Sequence, residues 1–192
     1  MTYSETLRAN KTWTCPKSGI YKIICVGGGG SGAATITNTA DAAVSGTAGG
    51  TTAFGTFISA SGGATGADAY AKGYITAAGI VAGGSNIYTS GCSINGYNGA
   101  SVYGTPNAAS VTGCGYGASG AAAAKGGSLF ATGGQPGEVV SGIFDIDVGK
   151  QVACTIGKGG SGISNSDGTS NKVCCYPGAA GAIMIQYLGE SM

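Results

Sequence analysis

The stretch that decides the fold is IYKIICVGGGG, residues 20–30. Its first seven residues are rich in β-branched side chains and are apolar on parts of both faces, which is typical of a central strand. Four glycines follow at once. Glycine has no Cβ, so glycine runs let backbones approach each other closely or take up unusual turns. The chain is therefore predicted to pass directly from a β core into a segment where backbone packs on backbone or lies open.

Two later stretches repeat this pattern. Residues 182–187, AIMIQY, are preceded by GAAG, and residues 151–156, QVACTI, are followed by GKGG. Because the first and last stretches have matched character, they are predicted to pair in one sheet. All three are predicted to share one β core, in which a charge at Ile24 would be destabilising. The glycine segments after Val26 and after Ile156 are predicted to lie at one end of that core.

The composition narrows the class of protein. Glycine accounts for 40 of 192 residues, against a usual share of roughly 7%. Only 9% of residues are charged and the net charge is +1, so nucleic-acid binding is not expected. No apolar run reaches the ~20 residues that span a bilayer, and the N-terminus has no apolar signal core. Synthesis in a cytoplasm without membrane insertion is therefore expected.

The pattern along the chain predicts an all-β protein of five to seven strands without a helix. Residues 1–10 are predicted to be an N-terminal arm, and 11–192 a single glycine-rich β domain. Residues 51–60 form a further strand candidate. Residues 62–137 are interpreted as a loop-rich insertion. Two conformations fit part of it: an irregular loop, or extended segments with the threefold repeat of polyglycine II.

Residues 138–148 predict another strand, with a period of two from Ile143, and Gly149 and Lys150 predict a turn into a returning strand. Asp145 and Asp147 are interpreted as a solvated face opposite the apolar side chains of this strand, which include Ile143, and not as a paired-carboxylate site.

Chemical motifs are few. Gly27, Gly29 and Gly32 satisfy G-x-G-x-x-G, but neither a helix nor a suitably spaced acid follows, so a nucleotide site is not predicted. No histidine exists, which excludes Ser-His-Asp and Cys-His systems within one chain. The seven cysteines are irregularly spaced and lack a C-x-x-C pair, so no metal site is predicted. They are interpreted as small buried thiols, with one or two disulfides as the alternative. No catalytic residue, cofactor or metal is predicted, and the protein is expected not to be an enzyme.

Tyrosines set among Gly, Ser and Asn are the best binding candidates, because tyrosine offers a large contact area at low entropy cost. The alternative is that these tyrosines only cover glycine-rich backbone. The candidate receptor-binding residues are Tyr88, Asn95, Tyr97, Asn98 and Tyr103.

Three groups of motifs resemble one family. WTCP at 13–16 leads into residues 20–30; GGTTAFG lies at 49–55; and VACTIGKGG at 152–160 precedes the closing strand. Together they resemble the glycine-rich domain of bacteriophage tail and tail-fibre proteins. The resemblance implies a small β-sandwich or jelly-roll-like scaffold, formed by both chain ends and carrying long glycine-rich loops.

The resemblance also implies a location on the virion and a role in host recognition. The expected function is a tail-fibre or tail-tip receptor-binding module, with other virion proteins and a host cell-surface saccharide or protein as partners. A homo-oligomer is expected, most simply a trimer. Two alternatives stay open: a purely structural virion component, such as a capsid decoration, head fibre or fibre-assembly protein, and a glycine-rich protein of a bacterial surface or matrix.

Overall fold

The computed structural model describes residues 3–35, 44–66, 102–103, 108–109, 115–120, 123–124, 130–131, 133–166 and 172–190. Across these ranges all regular structure is β-strand and no helix occurs, which confirms the all-β prediction. The strands are β1 Ser4–Leu7, β2 Lys11–Thr14, β3 Gly19–Val26, β4 Ala33–Thr35, β5 Val44–Ser45, β6 Thr52–Phe54, β7 Ile58–Ala60, β8 Val102–Tyr103, β9 Ala108–Ala109, β10 Ala123–Ala124, β11 Phe130–Ala131, β12 Val139–Ile146, β13 Gln151–Thr155, β14 Ser164–Ser166, β15 Lys172–Cys174 and β16 Ala182–Gly189.

The first sheet joins both chain ends in the order β1-β16-β3-β12, and every pair is antiparallel. The predicted pairing of the first and last long strands is confirmed, because Ile23 of β3 lies opposite Ile185 of β16. Residues 1–10, expected as an arm, contribute the strand β1 at the edge of this sheet. Leu7 of β1 is buried, and this contact explains why the segment is ordered into the sheet.

The second sheet has the order β2-β13-β6-β7 and is also antiparallel. Residues 51–60, expected as one strand, form two short strands joined by a turn at Gly55, whose φ is +53°. Gly149, with a φ of +80°, turns the chain as predicted. However, β13 does not return beside β12: it crosses to the second sheet and pairs with β2 and β6.

The two sheets share one hydrophobic core, here called the two-sheet core. At its centre the Trp13 ring lies 5.5 Å from the Tyr21 ring and 5.4 Å from the Phe54 ring. The Trp13–Tyr21 pair joins the second sheet to the first, the Trp13–Phe54 pair lies within the second sheet, and both inclined ring contacts add to the burial of apolar area. Ile23 contributes from the first sheet and Val152 from the second, so the prediction that these segments share one core is confirmed.

Two side chains differ from the expected orientation. Ile24 is only half-buried, while Ile23 and Cys25 on either side of it are fully buried. Alternation along β3 therefore turns Ile24 to the outer face of the sheet, and Ile23 is the more sensitive position. Ile143 was expected opposite the aspartates, but it is 64% exposed and shares the outer face of β12 with Asp145.

Beyond the two-sheet core lies an assembly of extended glycine-rich segments, here called the glycine bundle. Its axis is the segment 27–32, which is fully buried. Six other segments surround this axis. They are 133–138, 115–120, 176–181, 157–162, 46–51 and 61–66.

The central segment donates its backbone N–H groups with a strict repeat of three. Its first and fourth N–H groups bond to segment 133–138, the second and fifth to 46–51, and the third and sixth to 176–181, at 2.9–3.2 Å. Its carbonyls accept from the other three neighbours: Gly28 from Gly63, Gly29 from Gly160, and Gly30 from Gly120. Three residues per turn is the repeat of a polyproline II helix.

The six outer segments form a closed ring, in the order given above, and each is hydrogen-bonded to the next. Segments that lead away from the two-sheet core alternate in this ring with segments that lead back to it. Backbone groups in the interior of the bundle therefore bond to one another, as buried backbone polar groups must. Segments 27–32 and 157–162 are neighbours, which confirms that these glycine segments leave the core at one common end.

Glycine is required in the central segment because of the closeness of the neighbours. A Cβ on Gly28, Gly29 or Gly30 would lie under 3.0 Å from the carbonyl group of an adjacent segment. Real Cβ atoms essentially never approach backbone this closely. The glycine run at 27–30 is thus explained by backbone packing, and not by turn formation or phosphate binding.

Candidate functional site

The far end of the glycine bundle carries the strands that are not part of the two-sheet core. Strand β4 directly follows the central segment, and it lies between β5 and β10 in a small sheet that β9 completes. Two further pairs, β8 with β11 and β14 with β15, contact strands of this small sheet. We call these eight strands the far-end sheets.

Of the five candidate binding residues, only one lies within the described part of the chain. Tyr103 belongs to β8, where it is opposite Phe130 of β11. Strand β11 contacts β4, so the Tyr103 backbone lies at the far end of the bundle. Tyr88, Asn95, Tyr97 and Asn98 fall outside the described residues.

Two exposed large hydrophobic side chains lie at or next to the far end of the bundle. Tyr176 is 42% exposed and Ile163 is 37% exposed. The Cys175 Sγ atom accepts a hydrogen bond from the Ile163 N–H at 3.1 Å, and the Ile163 carbonyl accepts from the Cys175 N–H at 3.0 Å. The two segments that hold these side chains are therefore fixed to each other. Sequence reasoning missed both residues, because neither stands in the tyrosine-rich middle of the chain.

A hydroxyl contact ties the central segment to its neighbour near this end. The Oγ atom of Ser31, a fully buried residue, lies 3.1 Å from the Thr65 Oγ1 atom. Thr65 Oγ1 is also 3.3 Å from the Ser31 carbonyl, which accepts from it. The central segment thus ends in a short side-chain network, and β4 leaves from a constrained position.

The near end has a different surface. An open groove of about 320 Å³ runs between the two-sheet core and the bundle, and it is lined by Arg8, Asn10 and Lys158 among others. Asn10 Oδ1 accepts from the Ile156 N–H at 2.7 Å, and the Arg8 guanidinium lies 5.3 Å above the centre of the Tyr116 ring. No sequence signal joins Arg8 to Tyr116, since more than a hundred residues separate them.

A polar cluster links the first strands of the two sheets. The Lys11 Nζ atom donates to Glu5 Oε1 at 2.5 Å, and Tyr3 OH donates to the other Glu5 oxygen. The Trp13 Nε1–H donates to Tyr3 OH at 3.1 Å. Burial alone would raise the pKa of Glu5, but the hydrogen bonds from Lys11 and Tyr3 hold it below its usual value. This cluster fastens β1 to β2.

Two kinds of potentially reactive side chain, aspartates and cysteine thiols, lie in different surroundings. Asp145 is exposed on β12, and Asp147 is exposed just beyond the end of that strand. Burial raises the pKa of the Cys25 thiol to about 11, so at neutral pH this thiol is protonated and a poor nucleophile. Cys15, Cys25, Cys154 and Cys175 are buried thiols outside any disulfide, as predicted for these four positions. Within the described ranges, no three His, Cys, Asp or Glu side chains are close enough to hold a metal ion.

Comparison of the chain with protein-family models, with curated proteins and with solved structures found no match. In the part of the chain that the structure describes, there is no helix long and apolar enough to cross a bilayer.

Proposed function

We propose that this chain is a bacteriophage virion protein, a tail-fibre or tail-tip module that recognises the host cell surface with the far end of its glycine bundle. The proposal rests on the resemblance of its motifs to the glycine-rich domain of phage tail proteins and on the geometry of the bundle. It includes a β-sandwich as the form of the two-sheet core and polyglycine II as the form of the bundle. Assembly with other virion proteins, and into a homo-oligomer, is part of the same proposal.

The observation that carries this proposal is the closed ring of hydrogen bonds around segment 27–32. Seven segments rich in glycine and other small residues run side by side between the two-sheet core and the far-end sheets. A bundle that is hydrogen-bonded in every direction across its axis resists bending, because any tilt of one segment breaks bonds to several others. The glycine bundle therefore holds the strands and loops at its far end in fixed relative positions.

Fixed positions reduce the entropy that a recognition loop loses on binding. Loops that leave a rigid scaffold are the usual place for binding residues. The tyrosines of the middle region then supply the contact, since a buried interface tyrosine commonly contributes ~2 kcal/mol or more. No chemical step is required of the site, and the protein is proposed not to be an enzyme.

The experiment is adsorption of virions that carry Tyr88→Ala, Tyr97→Ala and Tyr103→Ala together. The expected result is loss of attachment to host cells, with normal assembly and a melting temperature within a few degrees of wild type. The matched control is Gln151→Ala with Gln186→Ala, because both glutamines are exposed on the two-sheet core. The control virions should adsorb normally.

Normal adsorption by the triple variant would favour the alternative of a structural virion component without receptor contact. Electron microscopy with an antibody against the chain separates the two roles directly. The receptor-binding role requires the label at a tail tip or fibre tip, whereas a decoration protein would be labelled over the capsid.

Catalysis is tested with purified protein. Turnover of a host polysaccharide that disappears in Asp145→Asn or Asp147→Asn would contradict the non-enzymatic part of the proposal.

A further inference from the structure

Strand β12 forms one edge of the first sheet among the described strands. It is eight residues long, VVSGIFDI, and pairs with β3 in continuous register along its whole length. On its outer face Ile143 is 64% exposed. Its single charged residue is Asp145.

An edge of this kind is a template for another strand. Natural proteins protect sheet edges with charged side chains, above all lysine, and with proline, bulges, very short strands or a covering loop. Asp145 is the one such charge on β12. Strand β12 has no lysine or proline, its register with β3 has no shift, and it is as long as any strand described. Its sequence is rich in the β-branched and aromatic residues that favour strand pairing. No described strand pairs with the outer edge of β12, so among the described residues this edge is available to a further strand.

We propose that a second copy of the chain covers this edge, by antiparallel pairing of β12 with the β12 strand of that copy about a twofold axis at Ile143. The two first sheets then form one continuous eight-stranded sheet. This contact is isologous, meaning that the same patch serves on both copies. It gives a dimer in place of the trimer expected from the sequence, and it does not depend on the receptor-binding role.

The register follows from side-chain chemistry. Directly opposed residues in an antiparallel pair share a face and interact. An axis at Ile143 places this exposed side chain against its own copy and places Asp145 against Ser141. An axis one residue away would place Ile143 against Ser141 or Asp145, and an axis at Asp145 would oppose two like charges. Only the axis at Ile143 pairs the exposed apolar side chain with an apolar partner and separates the two carboxylates.

Charge and neighbouring structure favour a second copy as the occupant. The net charge is +1, so two copies repel each other only weakly. Strand β7, at the edge of the second sheet, contacts β12, and Phe57 beside it packs 5.3 Å from the Phe144 ring. Pairing through β12 therefore also brings the half-buried Phe57 of each copy towards the interface. A contact of one strand and its flanks is at the small end of specific interfaces, so the dimer should depend on protein concentration.

The first test is sedimentation velocity of the full chain over a range of concentrations, with Ile143→Lys and a control, Leu188→Lys. Leu188 is an exposed apolar residue of β16, 48% exposed, on a strand inside the same sheet. Wild type and Leu188→Lys should form dimers, and Ile143→Lys should raise the dimer dissociation constant at least tenfold. A wild-type monomer at all concentrations, a trimer, or an Ile143→Lys dimer of normal affinity would overturn the proposal.

The second test fixes the register and does not need a charged variant to fold. Opposed Cα atoms in an antiparallel pair are about 4.5–5.5 Å apart, within reach of a disulfide. Ile143→Cys should therefore cross-link to itself on oxidation, above the wild-type background. Ser141→Cys should not cross-link to itself, because two copies of residue 141 would be about 13 Å apart at 3.3 Å per residue.

A mixture of Ser141→Cys and Asp145→Cys proteins should form the mixed disulfide. A self-linked Ser141→Cys dimer, or the absence of a link at residue 143, would refute the register and with it the twofold contact.

Discussion

Replacing Gly29 with alanine tests whether the glycine bundle is held together by backbone approach. A Cβ at this position would lie 2.5 Å from the carbonyl carbon of Ala118 and 2.7 Å from the carbonyl oxygen of Gly117, with the Ala118 oxygen nearer still. Ordinary van der Waals contact begins at 3.4 Å. To bring the Ala118 carbonyl carbon from 2.5 Å back to 3.4 Å from the new Cβ, segment 115–120 would have to move by at least 0.9 Å.

That movement has a cost that follows from the hydrogen bonds. The Ala118 carbonyl accepts from the Ala179 N–H at 2.7 Å, and the Gly117 carbonyl accepts from the Gly137 N–H at 2.9 Å. Both carbonyls belong to buried residues. A buried polar group that loses its partner costs about 1–3 kcal/mol, so two such groups give about 2–6 kcal/mol. This is a large part of the 5–15 kcal/mol that stabilises an ordinary domain.

Gly50→Ala is the matched control, because Gly50 lies in the same bundle and its φ is outside the left-handed region. Its Cβ would be 3.1 Å from the Lys158 nitrogen and 3.3 Å from the Gly157 Cα, so a shift of 0.3 Å restores ordinary contact. Its cost should stay below about 1.5 kcal/mol, within the usual range for surface or mildly crowded sites. The assay is urea unfolding followed by circular dichroism. If Gly29→Ala and Gly50→Ala have the same midpoint, the explanation of the glycine run by backbone packing is wrong.

Three further outcomes are expected. Ile23→Ala should lower the free energy of unfolding by about 2–5 kcal/mol because it leaves a cavity in the two-sheet core, whereas Ile24→Ala on the outer face should lower it by about 1 kcal/mol. Chemical denaturation measures both values. Equal losses of unfolding free energy in the two variants would contradict the orientation of β3. Folding lowers the pKa of Glu5, so the ionised carboxylate stabilises the fold fully above about pH 4.3, and this contribution is lost as the pH falls through the lower folded-state pKa. The melting temperature of Glu5→Gln should therefore depend less on pH between about 5 and 3 than that of wild type. Melting temperatures of the two proteins that fall in parallel with pH would count against the role of this carboxylate. Burial raises the pKa of the Cys25 thiol to about 11, so this thiol should react with an aromatic disulfide reagent at pH 8 only after unfolding. Mass spectrometry locates the labelled cysteine. Fast labelling of Cys25 in the native protein would show that it is not buried.

The strands of the two-sheet core could be predicted where long apolar stretches occur. Residues 20–26 and 182–187 have enough β-branched side chains to specify a strand, and their matched character predicted their pairing. The short strands β6 and β7 could not be separated, because the turn at Gly55 lies in a stretch whose composition is that of a strand. The edge strand β1 was missed because only one of its four residues, Leu7, is buried, and one apolar residue sets no period.

The glycine bundle was only partly foreseeable. A threefold repeat was considered for residues 62–137, but the bundle also includes 27–32 and 157–162. Side-chain periodicity does not reveal such segments, because they are held in place by backbone hydrogen bonds between distant parts of the chain. The candidate site could be predicted no further than the type of residue, because nothing in the sequence shows which glycine segment lies beside which.

The threefold repeat of the central segment has a consequence for how this chain can change in length. A segment shifted along its axis by three residues presents each neighbour with the same backbone groups as before, while a shift of one or two residues turns every N–H towards a different neighbour. The backbone hydrogen bonds alone therefore do not distinguish registers that differ by whole turns. The register is set by the positions that admit only glycine and by the junctions with the two-sheet core. Insertions or deletions in multiples of three are the ones that this architecture absorbs, so related sequences should differ in their glycine segments by triplets.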